Sequence, residues 1–297
     1  MEYRQLGNSS LHISRIGFGA MSLDANPDNV AYLIHQAIAG GINFFDTADI
    51  YQHGINETNL GKALAEKRKE VVIASKVGNV WKPDGSGLDW HPEKSHILRS
   101  IDDSLRRLKT DYIDLYQLHG GTIQDDIDET IGTFEDLVKS GKIRYYGISS
   151  IRPNVIREFI RRSNIISVMM QYSMLDLRPE EHCLRDLHQA GIGVLARGTV
   201  AGGLLGGKPP RPYLDHNVET VATVVDAMHR ATDKISLGSM AIRFVLENSA
   251  ITSAIVGVRT TTQLREALNA DEIILSKEIY GQLRKSLNPN FYALHRD

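Results

Sequence analysis

Short apolar runs, each too brief for a helix, recur along the chain between longer segments with helical spacing. The runs cover 14–19, 42–46, 71–76, 112–119, 144–150, 165–171, 192–196 and 253–257. Most are continuously apolar rather than alternating, the pattern of parallel strands covered on both faces. Between the first two, Val30, Leu33, Ile34, Ala37 and Ile38 form one helical stripe, with Asp28 as the expected N-cap and Gly40 and Gly41 as the stop. Ile97, Ile101, Leu105 and Leu108 form a second stripe, and helical patterns also cover 58–66, 126–139, 153–161, 178–189, 218–231, 236–247, 260–269 and 276–286. Eight β–α units fit a closed α/β architecture, a (β/α)8 TIM barrel, better than an open sheet. They predict one domain over 1–297. Residues 3–13, with a turn at 7–10, predict a short N-terminal hairpin closing one end of that barrel.

Two connections are long. The first, 77–92, follows the third strand and holds both tryptophans, Trp81 and Trp90; the second, 198–217, follows the seventh strand and is rich in Gly and Pro. With the C-terminal tail 288–297, they leave the end of the barrel where such folds build their sites. The tryptophans there either wall an apolar substrate pocket or anchor their loop.

Composition narrows the partners. Of 297 residues, 42% are hydrophobic and 24% charged, which suits an ordinary globular protein with a sizeable core. Lys and Arg total 34 against 36 acidic residues, so the net charge of −2 argues against nucleic acid or an anionic membrane as the main partner. Cys183 is the lone cysteine, which excludes an internal disulfide and any multi-cysteine metal site. The 11 histidines form no His-Glu-x-x-His and no His-x-His at the first strand, so no metal is expected. The first five residues start no apolar signal region, and no apolar stretch approaches the roughly 18 residues of a membrane helix. A cytoplasmic protein acting on a small molecule is the expectation.

The chemistry stands at the strand ends. Asp46 ends the second strand with Tyr51 five residues on, Lys76 ends the third, and His119 the fourth. Taken singly, each is more often a structural ion pair or a satisfied histidine. In one mouth, the set suits carbonyl reduction, where an alkoxide develops and needs a proton and a positive environment. A phenol is a weak acid at neutral pH, and an adjacent ammonium favours its ionised form. Lys76 can supply that ammonium, Asp46 can hold Lys76, and neutral His119 can donate to the substrate oxygen. Tyr51 is then the general acid in reduction and the base in oxidation. Two nucleotide-like motifs fall short: Gly17-Phe-Gly19 lacks the third glycine of a dinucleotide fingerprint, and Gly202 to Lys208 meets Pro209 where a P-loop needs Ser or Thr.

Asp46-Thr-Ala-Asp-Ile-Tyr51 followed by Gly54, Glu57, Leu60 and Gly61 resembles the signature of the aldo-keto reductases. So do Ser104-Leu-Arg-Arg-Leu108 with Asp111-Tyr-Ile-Asp-Leu-Tyr116 and His119, and Gly257-Val-Arg259 with Gln263 and Glu266. The resemblance spans nearly the whole chain. It implies a barrel that binds NADP(H) across its mouth and reduces aldehydes or ketones, with Asp46, Tyr51, Lys76 and His119 as the catalytic tetrad. It places Ser149, Ser150 and Gln171 on the nicotinamide carboxamide, and Ala20 and Met21 beside the nicotinamide and ribose. Gly203, Leu204 and Lys208 would cover the pyrophosphate. Arg259, at a helix N-terminus, would take the adenosine 2′-phosphate, with Gly257 before it and Gln263 and Glu266 facing the adenine. Three positions depart from the family pattern: Ser150 and Ala267 replace frequent Asn residues, and Arg197 stands where many members stack Tyr or Trp on the nicotinamide. Many members are monomers, so a monomer is expected. Two other readings fit the same residues, a barrel aldolase using Lys76 as a Schiff-base nucleophile and a reductase-like subunit that senses the cofactor with little turnover.

Overall fold

The computed structural model describes residues 1–296. The chain opens with β1 (Tyr3–Gln5) and β2 (His12–Ser14), then β3 (Ile16–Gly19), α1 (Pro27–Ala39), β4 (Phe44–Asp46), α2 (Ile55–Leu64) and β5 (Val72–Val77). A small excursion, β6 (Asn79–Trp81) and β7 (Leu88–Trp90), precedes α3 (Lys94–Leu108), β8 (Ile113–Leu118), α4 (Ile127–Lys139), β9 (Ile143–Ser149) and α5 (Pro153–Arg162). The remainder is β10 (Ser167–Gln171), α6 (Cys183–Gln189), β11 (Gly193–Arg197), α7 (Val218–Ala231), α8 (Leu237–Leu246), β12 (Ile251–Gly257), α9 (Thr261–Glu272) and α10 (Lys277–Lys285).

Strands β3, β4, β5, β8, β9, β10, β11 and β12 close in that order into one parallel barrel, so the eight apolar runs are its eight staves. Alternate side chains point inward and outward. Phe44, Val72, Ala74, Leu115, Met169, Leu195 and Ile255 fill the interior, while a larger cluster packs the outer faces against the helices. The hairpin β1–β2 closes the bottom by adding Leu6, Leu11 and Ile13 to the interior cluster. Its turn passes so near β10 that a Cβ on Gly7, at φ +54°, would stand 2.2 Å from the Ile166 carbonyl oxygen. Only glycine fits there.

Local chemistry shifts some boundaries. Asn26, not Asp28, caps α1: its side chain accepts from the amides of Asp28 and Asn29 at 3.0 and 3.4 Å. Pro27 opens the helix because it has no N–H to leave unpaired and its φ is already helical. The helix expected over 58–66 starts at Ile55, after a tight 3-10 turn (Tyr51–Gly54) in which Gln52 and His53 take left-handed backbone angles. The segment 77–92, expected as a loop, pairs into the antiparallel β6–β7 hairpin.

One buried knot joins α2, α3 and β5. Glu57, fully buried, accepts from Ser75 Oγ at 2.5 Å, Ser104 Oγ at 3.2 Å and Arg107 Nε at 2.6 Å. Gly61 lets the helices meet, since a Cβ there would lie 2.5 Å from the Leu108 backbone. These are the polar and glycine positions of the family-like motif, and here their role is structural.

Candidate active site

Four side chains from three strand ends meet at the top of the barrel. Asp46 is the last residue of β4 and Lys76 the penultimate residue of β5, and both are buried. Lys76 Nζ donates to Asp46 Oδ2 at 2.7 Å, to the Thr47 carbonyl at 2.7 Å and to the Tyr51 hydroxyl at 3.3 Å. Its three protons are thereby all directed. Burial works against its charge, yet Asp46 and Tyr51 together hold the Lys76 pKa above its ordinary value. Gln117, two residues before His119 on the same strand face, adds a 3.4 Å bond to Asp46 Oδ1.

The loop after β4 is fixed from both sides. Inside, Thr47 N donates to the Ala74 carbonyl at 2.9 Å and Asp49 N to that of Lys76 at 3.3 Å. Outside, Trp81 Nε1 donates to the Ile50 carbonyl at 2.9 Å, and its ring lies 4.8 Å from that of His53. Trp81 therefore anchors the segment that delivers Tyr51. Asp49 in the same loop has one carboxyl oxygen buried without a partner; burial, reinforced by the Glu57 charge, pushes its pKa up to about 8.

His119 follows β8 directly. Its amide donates to the Val77 carbonyl at 2.7 Å, and its carbonyl accepts from Asn79 Nδ2 at 2.7 Å. The ring stands edge-on to Tyr51, centroids 6.1 Å apart at 81°. Burial, with Lys76 and Arg197 nearby, pushes its pKa down to about 3. The imidazole is neutral at physiological pH, so one ring nitrogen carries a proton to donate. Its Nδ1 is buried without a partner. A cavity of about 380 Å3 opens beside it, walled by Trp90, Ser149, Ser150 and Arg197 among others. Trp90 thus faces the cavity that Trp81 does not line.

The residues assigned to a dinucleotide form a rim around this centre. Ala20, in the 3-10 turn (Ala20–Ser22), is buried and its carbonyl accepts from Asn56 Nδ2 at 2.8 Å; Met21 beside it is 64% exposed. Ser149 ends β9, and Ser150 Oγ accepts from the Arg152 amide at 3.2 Å. Gln171 ends β10, donating to the Tyr213 hydroxyl at 2.9 Å and accepting from Arg197 Nη1 at 3.1 Å. Leu204 is buried, and Lys208 folds over Gly203 to donate to the Gly202 carbonyl at 2.9 Å.

Gly257 ends β12, and Arg259 follows it on the surface, before the N-terminus of α9. Among the described residues Arg259 pairs with no carboxylate; only its amide is engaged, donating to Gln263 Oε1 at 2.9 Å. Glu266 lies against Gly238 at the start of α8, away from Arg259's side chain in bonding terms. An unpaired guanidinium at a helix N-terminus, with Lys208 and the amide-bearing Gln171 around the mouth, fits a phosphorylated dinucleotide. Among the described residues no group of three His, Cys, Asp or Glu could hold a metal ion, and no helix is long and apolar enough to cross a membrane.

Sequence reasoning singles out none of Thr47, Gln117 and Tyr213. Thr47 acts through its carbonyl and so leaves no side-chain signal. Gln117 does carry one, a polar residue in an otherwise apolar strand, in phase with His119. Tyr213 lies in an irregular connection with no periodicity to point at it.

Comparison with known proteins identifies the family. The family model described as "Aldo/keto reductase family" matches residues 15–288. The chain is 43% identical to "Uncharacterized oxidoreductase YqkF" of Bacillus subtilis, covering 100% of both. It is 28% identical to "Aldo-keto reductase yakc [NADP(+)]" of Schizosaccharomyces pombe, covering 95% of this chain and 90% of the relative. Among solved structures, the holo form of aldo-keto reductase AKR11C1 from Bacillus halodurans superposes with a TM-score of 0.95 at 42% identity, covering 100% of both chains. Its apo form superposes at 0.86 with the same coverage.

Proposed function

The chain belongs to the aldo/keto reductase family, and we propose that it reduces aldehydes or ketones to alcohols with NADPH, using Tyr51, Lys76, Asp46 and His119. The observation that carries this reading is the Lys76 ammonium, bonded at once to Asp46, to the Thr47 carbonyl and to the Tyr51 hydroxyl. The reduced nicotinamide, when bound, supplies the hydride for the carbonyl carbon. The chain's own residues handle the oxygen. His119, neutral, donates a hydrogen bond to the carbonyl oxygen and orients it toward Tyr51. As negative charge grows on that oxygen, the Tyr51 hydroxyl gives it a proton. The ammonium 3.3 Å away stabilises the phenolate left behind, and Asp46 keeps that ammonium charged and in place. Alcohol oxidation runs the same path in reverse.

Arg259 and the N-terminus of α9 would hold the 2′-phosphate, which favours NADPH over NADH. Lys208 would reach the pyrophosphate, and Ser149, Ser150 and Gln171 the carboxamide. An NADP(+) relative supports the choice of cofactor. A Schiff-base role for Lys76 needs a neutral amine, and its charge is instead held by Asp46.

Titration with NADPH and NADH by fluorescence, followed by small aldehydes and loss of reduced-nicotinamide absorbance, tests the reading. Tyr51→Phe is expected to bind NADPH as the wild type does while losing about three orders of magnitude in turnover. Near-normal turnover in that variant would remove Tyr51 from its role.

A further inference from the structure

Arginines away from solvent need a partner for their charge, and in this protein they nearly all have one. Arg15, Arg68, Arg107, Arg178, Arg243 and Arg284 each reach a carboxylate, on Glu2, Asp114, Glu57, Asp176, Glu247 and Glu180, at 2.6–2.8 Å. Arg152 and Arg197 are equally half-buried and, among the described residues, pair with none. Arg152 Nη1 donates only to the Gly121 carbonyl, and Arg197 Nη1 only to Gln171 Oε1.

Both unpaired guanidinium groups line the same cavity, the one beside His119. No Asp or Glu lines it. Asp125, which is bonded to Trp90 of the wall, is already engaged: its oxygens accept from Trp90 Nε1 at 3.1 Å, Thr122 N at 2.7 Å and Thr122 Oγ1 at 2.8 Å. Asn79 and Thr122 add neutral polar groups and Trp90 a flat apolar wall. Two forked cations with no carboxylate within pairing distance, beside an aromatic wall, match an oxyanion carried on a short or planar body.

We infer that this cavity is an anion subsite, and that the preferred carbonyl substrates bear a carboxylate or phosphate group held by Arg152 and Arg197 while their carbonyl reaches Tyr51 and His119. The inference rests on the reductase reading for its chemistry; Ser149 and Ser150, which also line this cavity, are the residues proposed above for the carboxamide, so substrate and nicotinamide would share it. Arg197 then has two tasks, orienting Gln171 and completing the subsite, whereas Arg152 has the second alone.

The test compares substrates that differ only in charge. With NADPH saturating, 4-carboxybenzaldehyde is expected to exceed its methyl ester about tenfold or more in kcat/KM, chiefly through KM. Arg152→Met should reduce that ratio by about tenfold, and Arg152→Lys should restore part of it. Glyceraldehyde 3-phosphate against glyceraldehyde is the second arm; the pair with the larger ratio identifies the anion. Binding is read separately. In Trp81→Phe protein, Trp90 fluorescence should respond saturably to benzoate, and adding Arg152→Met should abolish the response. Equal kcat/KM for acid and ester, with glyceraldehyde 3-phosphate no better than glyceraldehyde, overturns the subsite and leaves the reductase reading intact. If no aldehyde is reduced at all, the reductase reading fails and the benzoate titration still decides the cavity: a saturable, Arg152-dependent response supports the subsite, and none overturns it.

Discussion

At the junction of β4, β5 and β8, the proposed catalytic atoms already hold one another. Lys76 is 1% exposed, its ammonium fixed by Asp46 and Thr47, and the loop bearing Tyr51 is bonded on both sides. Across the mouth, where β12 runs into α9, the proposed cofactor-binding atoms are loose. Arg259 projects from the surface and Lys208 rests on its own loop. The difference follows from the elements. Strand ends in a closed barrel are set by their neighbours' registers, so side chains packed among them have one arrangement. A helix N-terminus and a Gly-rich turn present long basic side chains that a ligand can recruit. Chemistry and cofactor affinity should therefore be separable by mutation.

The largest effect should come from breaking the rigid side. Lys76→Met is expected to lower turnover by about three to four orders of magnitude, as it removes the charge that stabilises the phenolate. It also strands Asp46 buried and unpaired, which should cost about 3–5 kcal/mol in denaturant unfolding. Replacing Asp46 by Leu in the same protein should return much of the stability and none of the activity. Return of activity would refute the role of Lys76.

Breaking the loose side should be milder and of another kind. Arg259→Ala should weaken NADPH about 10–100-fold, the range of a charge-assisted hydrogen bond, with NADH little affected and kcat nearly unchanged. Equal weakening of both cofactors would move the 2′-phosphate elsewhere.

A third test sharpens the comparison through pH. Asp49 lies in the rigid half with its pKa pushed up to about 8 by burial. Below about pH 4 folded and unfolded chains both carry its proton. Between there and pH 8 only the folded chain keeps it, so rising pH favours unfolding until the folded pKa is passed. Asp49→Asn should flatten the loss of stability between pH 5 and 8.5, measured by urea titration. An unchanged slope would mean that the carboxyl is solvated.

Much of the rigid half could be read from the chain. Its strands are apolar because both faces are covered, so Asp46, Lys76 and His119 stand out as polar residues ending apolar runs. Gln117 was hidden inside such a run, and Thr47 contributes a carbonyl that any residue would supply. The loose half was legible only through the family-like motif, since an exposed Arg259 leaves no periodic trace. Local chemistry misled at α1, where Pro27 moved the cap from Asp28 to Asn26. The β6–β7 hairpin leaves no periodic trace in the sequence, because its three-residue strands around Gly85 and Gly87 alternate too briefly. The isolation of Arg152 became visible only once the other half-buried arginines had found their carboxylates.

The central claim is that hydride passes to a carbonyl carbon held between Tyr51 and His119. Single-turnover reduction of an aldehyde with NADPH carrying two deuteriums at nicotinamide C4, followed by mass spectrometry of product and protein, tests it most directly. The account predicts one deuterium on the carbinol carbon of each alcohol formed from the labelled position, and no borohydride-trapped adduct on Lys76. Alcohol formed without the label, or a trapped adduct on Lys76, would contradict it.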